Sequence, residues 1–354
     1  MPRRVLLVND TSFLPHHGCQ GVMHQIETAL AERKLSVSQR WPVHADWFAR
    51  PQWRQEIAEA DLVLVNGEGT LHHDAPAPRR IGRVAREAKA AGVPCSLINS
   101  VYDAVPADVA AHVAAFGYRS VRESRSHTAA AADGLSADVT PDLLLLEERR
   151  ECPSGGGVLL TDSTVRAVRQ RLYRASRERT DAGYLTLLAP PRTWPLDSPH
   201  AADARRRQRA YELRRRVYPA VAAVLPLGER RRCDMNRFRH IANTRDEALT
   251  SIGSASLVVA GRFHAVCMCL VQETPFVAVG SNTHKIEGLL GDAGLGRRVV
   301  ADADEAAAVD PEAWQWTDEE RASLAAFKAD LPRRAAAMFD RALEPAQAAT
   351  RHAA

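Results

Sequence analysis

The stretch 256–290, SLVVAGRFHAVCMCLVQETPFVAVGSNTHKIEGLL, restricts the fold more than any other part of the chain. Two short apolar runs, 256–260 and 275–279, are bounded by turn residues, as expected of buried strands in a parallel sheet covered on both faces. A tight turn at Gly261 leads into a helix over 262–272, and a second helix starts from Thr283. Arg262 and His264 then fall on the first turn of a helix, just past the carboxyl end of a strand. Ligands of open α/β sheets bind at such ends. Free backbone N–H groups and the positive helix end favour an anion there. Lys285 takes the matching position after the next strand. Two cations and an imidazole at neighbouring strand ends predict a site for a small, doubly anionic ligand.

The rest of the chain repeats this alternation. In the first half, 4–8 reads as a strand, 18–34 as a helix and 62–65 as a buried strand. The turn Asn66-Gly67-Glu68-Gly69-Thr70 follows, then Leu71-His72-His73-Asp74. Helix 81–91, strand 94–98, helix 106–115 and strand 118–121 come next, the last ending in Arg122-Glu123-Ser124. A strand near 137–139 and the run 142–146 close this half. The polar, glycine-rich 147–157 reads as a linker. A second series has strands at 158–161, 184–188, 221–225 and 298–300, with helices over 165–179, 201–216 and 245–253. In the tail, Thr317 and Glu320 form a capping box, Trp314 and Trp316 pin the helix start, and Pro332 kinks or breaks that helix. A chain of 354 residues exceeds what one core usually fills. The expectation is an α/β protein of GT-B outline: Rossmann-like domains over 1–150 and 151–305 with a cleft between, and a helical tail over 306–354 that crosses them.

Composition excludes more than it identifies. A net charge of +4, from 47 basic and 43 acidic residues, does not describe a nucleic-acid binder. Lysine occurs only at 34, 89, 285 and 328 amid many arginines, so a single lysine carries more information than a single arginine. The six cysteines include no CxxC pair and read as reduced thiols. The amino terminus has too short an apolar run for a signal peptide, and no run approaches a membrane span. The expectation is a cytoplasmic protein.

Gly67 to Thr70 follow a strand, but without GxGxxG or a suitably placed acid a dinucleotide site is not expected. The glycines instead allow a tight turn through which backbone reaches a ligand. His16, His17, Cys19 and His24, and likewise His72, His73 and Asp74, lack the spacing of a metal site and read as loop residues lining a cleft, so no metal is expected. Arg122-Glu123-Ser124 reads either as a serine cap with an acid in the first turn or as part of a site. The arginine-rich 205–216 reads either as a solvated face or as a contact for an anionic lipid carrier or membrane surface, the inner face for a cytoplasmic protein.

At Gly261-Arg262-Phe263-His264-Ala265, with Thr274-Pro275-Phe276 and Lys285-Ile286-Glu287-Gly288-Leu289 behind it, the chain resembles the polysaccharide pyruvyl transferase family. Asn66-Gly67-Glu68-Gly69-Thr70, Val121-Arg122-Glu123-Ser124 and Asn9-Asp10-Thr11-Ser12 agree with it, over roughly 4–300. The resemblance implies transfer of the pyruvyl part of phosphoenolpyruvate to a sugar as a ketal, in exopolysaccharide or cell-envelope glycan synthesis. It implies Arg262 on one anionic group of the donor and Arg122 or Lys285 on the other. His264 becomes the general acid, and Gly261 with Arg262 stabilises the departing phosphate. Glu68, Thr70, His72, His73 and Asp74 would hold the acceptor saccharide, which the resemblance leaves open as lipid-linked. No metal or cofactor is required. Two other readings fit the architecture: a glycosyltransferase using a nucleotide sugar, and a non-catalytic binding protein on the same fold.

Overall fold

The computed structural model describes residues 3–153, 155–190 and 201–348. The chain divides into two units: Met1–Thr11, Met23–Leu143 and Ala329–Ala354 form the first, and Ser12–Val22 with Leu144–Lys328 form the second. The linker expected at 147–157 begins just after the chain passes from one unit to the other, and the last turns of the tail helix belong to the first unit.

The first unit holds strands β1 (Arg3–Asp10), β2 (Leu35–Pro42), β3 (Leu62–His72), β4 (Cys95–Asp103), β5 (Tyr118–Val121) and β6 (Asp138–Val139). They form one parallel sheet in the order β2-β1-β3-β4-β5-β6. The second unit holds β7 (Gly156–Thr161), β8 (Ala182–Leu185), β9 (Ala255–Ala260), β10 (Phe276–Val279) and β11 (Val299–Val300), in the order β11-β10-β9-β7-β8. This sheet is also parallel. Two parallel-sheet α/β units are what the sequence reading expects. The strand sequences explain it: Val5, Leu6, Leu7 and Val8 are all wholly buried, as a strand with helices on both faces requires.

Each sheet reverses its strand order once, between β1 and β3 in the first unit and between β7 and β9 in the second. Such switch points open a crevice outside the carboxyl ends of the strands. The helix after β9, Phe263–Gln272, is buried at every position and apolar all round except at His264 and Gln272, so it is clamped in place.

Four element expectations are corrected. The stretch 66–70 is not a turn but a continuation of β3, which pairs with β4 as far as His72. Its glycines serve the sheet: a Cβ on Gly67 would lie 2.4 Å from Ser100 Cβ and 2.9 Å from its Cα. Strand β2 was not anticipated, because LSVSQRWP is a polar edge strand with little periodic signal. The run 221–225, read as a strand, carries the end of the helix Ala201–Val224; short apolar runs do not distinguish the two states, and this one buries only Ala222 deeply. The tail helix Asp318–Ala348 continues through Pro332. Its capping box forms as expected, with Glu320 N–H donating to Thr317 Oγ1 at 3.2 Å and Thr317 N–H to Glu320 Oε2 at 3.1 Å.

Candidate active site

At the switch point of the second unit, β7 ends at Thr161 and is followed by Asp162-Ser163, and β9 ends at Ala260 and is followed by Gly261-Arg262. Glycine at 261 lets these two ends touch, since a Cβ there would lie 2.8 Å from the Asp162 carbonyl oxygen. Gly261 N–H donates to Thr161 Oγ1 at 2.9 Å, so that backbone donor is committed inside the protein. Arg262 is extended and precedes the helix rather than opening its first turn. Its carbonyl accepts from Ala265 N–H at 3.0 Å and Val266 N–H at 3.2 Å, which fixes the backbone from which the side chain projects.

The Arg262 guanidinium forks onto Asp162, Nε to Oδ1 at 2.7 Å and Nη2 to Oδ2 at 2.6 Å. Asp162 is fully buried, and it also accepts from Leu187 N–H at 3.1 Å and from Arg237 Nη2 at 3.4 Å. Burial alone would raise the Asp162 pKa; Arg262 and Arg237 outweigh it and hold the carboxyl below its ordinary value. Arg237 is the strained member. Burial lowers its pKa, Asp162 opposes this, and the positive charges of Arg262 and Arg169 add to the lowering. One carboxylate between two guanidiniums leaves a surplus positive charge, which an incoming anion would relieve.

His264 is the second residue of the helix Phe263–Gln272 and is buried. Its ring lies against the backbone of Gly18, where a Cβ would come within 2.2 Å of His264 Cγ. Beside it stands His16, with ring centroids 5.2 Å apart. His16 Nδ1 accepts from the N–H groups of Gly18 at 3.1 Å and Cys19 at 3.4 Å. That pattern leaves the ring proton on Nε2. Burial, and then the charge of Arg262, lower the His16 pKa well below the ordinary histidine value, so the ring is neutral. Ligand-type atoms of His16, Cys19 and His264 come within 4.8 Å of one another. A metal on His16 Nε2 would push the ring proton onto Nδ1, against two backbone donors, and this opposes a metal centre here. Lys285 opens the helix Lys285–Asp292 after β10, the strand next to β9, and its Nζ donates to Asn282 Oδ1 at 2.8 Å.

The sequence singles out Arg262, His264, Lys285 and Gly261, and offers His16 as a loop residue lining a cleft; Asp162 and Arg237, which the structure sets against Arg262, it does not single out. Arg237 arrives through the pairing of Thr186 N–H with the His240 carbonyl at 2.8 Å. The same segment lines a cavity of about 640 Å³ with Tyr173, Tyr184, Asn236, Arg239 and His240. The stacked strand ends were the available signal: a polar Thr-Asp-Ser closing an apolar strand.

The switch point of the first unit is polar and strained. Asn9, next to the end of β1, and Glu68 and Asn99, within β3 and β4, all have positive φ, at 59°, 39° and 54°. Backbone strain of this kind gathers at functional sites. Asn9 Nδ2 donates to the Asn66 carbonyl at 2.6 Å, Asn66 Nδ2 to Glu68 Oε2 at 3.3 Å, and Asn99 Nδ2 to Asn66 Oδ1 at 3.4 Å. Glu68 is buried. The Thr70 hydroxyl bonds the Gly67 carbonyl. The His72 and His73 rings meet edge to face at 5.1 Å, and exposed Asp74 accepts from Arg79 Nε at 3.0 Å. Arg122 is buried in this unit with its Nη1 on Asp142 Oδ2 at 2.6 Å, and its Nη2 runs 3.9 Å from where a Gly69 Cβ would stand. Glu123, not Ser124, caps the following helix, through Ser126 N–H at 3.0 Å. The structure thus places Arg122 with Glu68 and Thr70 in the first unit, and Arg262, His264 and Lys285 in the second.

A family model described as "Polysaccharide pyruvyl transferase" matches residues 23–283. A search of curated protein sequences finds no match. Among solved structures, a functionally uncharacterised protein from Klebsiella pneumoniae subsp. pneumoniae NTUH-K2044 is similar at 10% identity and TM-score 0.41, over 84% of this chain and 93% of that one. A UDP-GlcNAc 2-epimerase from Methanocaldococcus jannaschii, solved with UDP-GlcNAc and UDP, is similar at 7% identity and TM-score 0.45, over 93% and 99%. An O-GlcNAc transferase variant from Thermobaculum terrenum is similar at 12% identity and TM-score 0.39, over 98% of this chain and 69% of that one.

Proposed function

The chain belongs to the polysaccharide pyruvyl transferase family, and from that premise we propose that it transfers the pyruvyl group of phosphoenolpyruvate to a saccharide acceptor as a ketal. The observation that carries the donor assignment is the surplus guanidinium charge of Arg262 and Arg237 around buried Asp162, next to His264, at a sheet switch point. Phosphoenolpyruvate has a carboxylate and a phosphate, and such groups suit guanidinium forks. Asp162 occupies Nε and Nη2 of Arg262 and sets the plane in which Nη1 meets one anionic group. Arg237 assists it. Lys285, which lies in the same unit as Arg262, serves the other group.

In the reaction, His264 donates a proton to the methylene carbon, making it a methyl group and leaving positive charge on the adjacent carbon. Two acceptor hydroxyls bond to that carbon, and the carbon–oxygen bond to phosphate breaks. One hydroxyl proton restores His264, and the other leaves with phosphate. His16 Nε2–H, held neutral, supplies a hydrogen bond to the phosphate oxygen that gains negative charge as it departs, without competing for the proton. Glu68, Thr70, His72, His73 and Asp74 are the acceptor side, with Glu68 and the histidines matched to sugar hydroxyls. A lipid-linked acceptor met at the cytoplasmic membrane face suits envelope-glycan synthesis. No metal, cofactor or nucleic acid enters the scheme.

The test is phosphate release from phosphoenolpyruvate in the presence of saccharide acceptors, followed by mass analysis of the acceptor. His264→Ala is expected to abolish release while the protein still binds phosphoenolpyruvate. Near-normal turnover by that variant would remove His264 from the chemistry.

A further inference from the structure

The helix Ala201–Val224 in the second unit is built inside out. Among the described residues, the large apolar side chains left exposed are Leu213, Val217, Val224 and Leu225, at 63%, 40%, 81% and 48% exposure. All lie on this helix or one residue past it. At 3.6 residues per turn, Leu213, Val217, Ala220 and Val224 stack along one line. Tyr211 and Ala222, on the opposite side, are buried, so that line points outward. Exposed Arg209, Arg214 and Arg216 border it. Seven arginines against Asp203 and Glu212 give the helix a net charge of +5.

We propose that this helix is a docking surface for an anionic lipid bilayer, with Leu213, Val217 and Val224 entering the headgroup–acyl boundary and the arginines reaching lipid phosphates. An ordinary surface helix presents its polar side to water. One with an apolar line flanked by long cationic side chains fits a membrane interface, where arginine stems lie along the apolar zone and their heads rise to the phosphates. Charge selects this occupant. A second copy meeting the same face would set arginine against arginine across a symmetric seam. A nucleic acid would use the arginines but leave the apolar line in water. The surface is independent of the donor chemistry at Arg262 and His264, so either can fail without the other.

The experiment is co-sedimentation of the full chain with phosphatidylglycerol-containing vesicles and with pure phosphatidylcholine vesicles. Binding is expected to the anionic vesicles alone and to weaken as salt is added. Replacing Arg209, Arg214 and Arg216 by glutamine should lower the partition about a hundredfold. The double variant Leu213→Glu, Val217→Glu should lower it at least about tenfold. Both variants should keep the thermal midpoint of the parent chain. No binding to anionic vesicles overturns the proposal. So does equal binding to both vesicle types, or anionic binding that the Leu213 and Val217 changes leave untouched. Self-association abolished by those changes, without vesicle binding, would assign the face to a second copy instead.

Discussion

The Arg262 guanidinium meets Asp162 through Nε and Nη2, and this pair sets the direction of everything else the side chain can offer. Its partner lies 100 residues away in sequence. The motif around Arg262 could be read because strand, glycine turn and helix adjoin one another in the chain. Asp162 could not, since it follows a short strand with no motif of its own and acquires its role only when β7 lies beside β9. The histidines behave similarly. His17 is buried and donates from Nε2 to the Ala242 carbonyl at 3.1 Å. Burial, helped by Arg245, lowers its pKa to about 4, against opposing effects of the Ala242 hydrogen bond and Glu247. A histidine with a depressed native pKa gives full stability above the unfolded value near 6.5. As pH falls from there toward 4, the unfolded chain takes up a proton that the native one refuses. Between pH 7 and 5 this lowers stability by about 2 kcal/mol, and below about 4 the loss levels off. Thermal midpoints measured across that range should fall less steeply in His17→Gln, which keeps a donor for Ala242. Parallel curves for the two proteins would contradict the assignment.

At the scale of elements, every strand but β2 was legible, most plainly those whose apolar runs are continuous: β1, β3, β4, β7, β9 and β10. The failures have separate causes. Strand β2 sits at a sheet edge and carries Ser, Gln and Arg, so its sequence pattern is that of a loop. In β3, glycines at 67 and 69 imitate a turn but let β4 approach closely, and Glu68 takes up positive φ beside them. Gly67 therefore has a structural burden that local sequence hides. Gly67→Ala would press a methyl group into Ser100 Cβ and Cα, and should cost about 1–3 kcal/mol through separation of β3 from β4. Chemical denaturation measures this, and an unchanged unfolding midpoint would mean that the strands have slack there. The run 221–225 failed for a third reason: nothing local says whether a short apolar run will meet a sheet.

At the scale of the molecule, length and βα alternation were enough to predict two parallel-sheet units, because a parallel sheet demands the helical crossovers that the sequence displays. Composition added little, since a net charge of +4 averages over an arginine-rich helix of charge +5 and acidic segments elsewhere. No helix among the described residues is long and apolar enough to cross a membrane. Family membership supplies the reaction class, and the charge surplus at Arg262 and Arg237 supports a doubly anionic donor. Calorimetric titration of the full chain with phosphoenolpyruvate tests that claim most directly. The account predicts saturable binding of phosphoenolpyruvate, weakened at least about tenfold in Arg262→Lys, which keeps the charge but loses the fork, and no binding of UDP. Binding of UDP with no heat from phosphoenolpyruvate would contradict it and return the chain to the nucleotide-sugar reading.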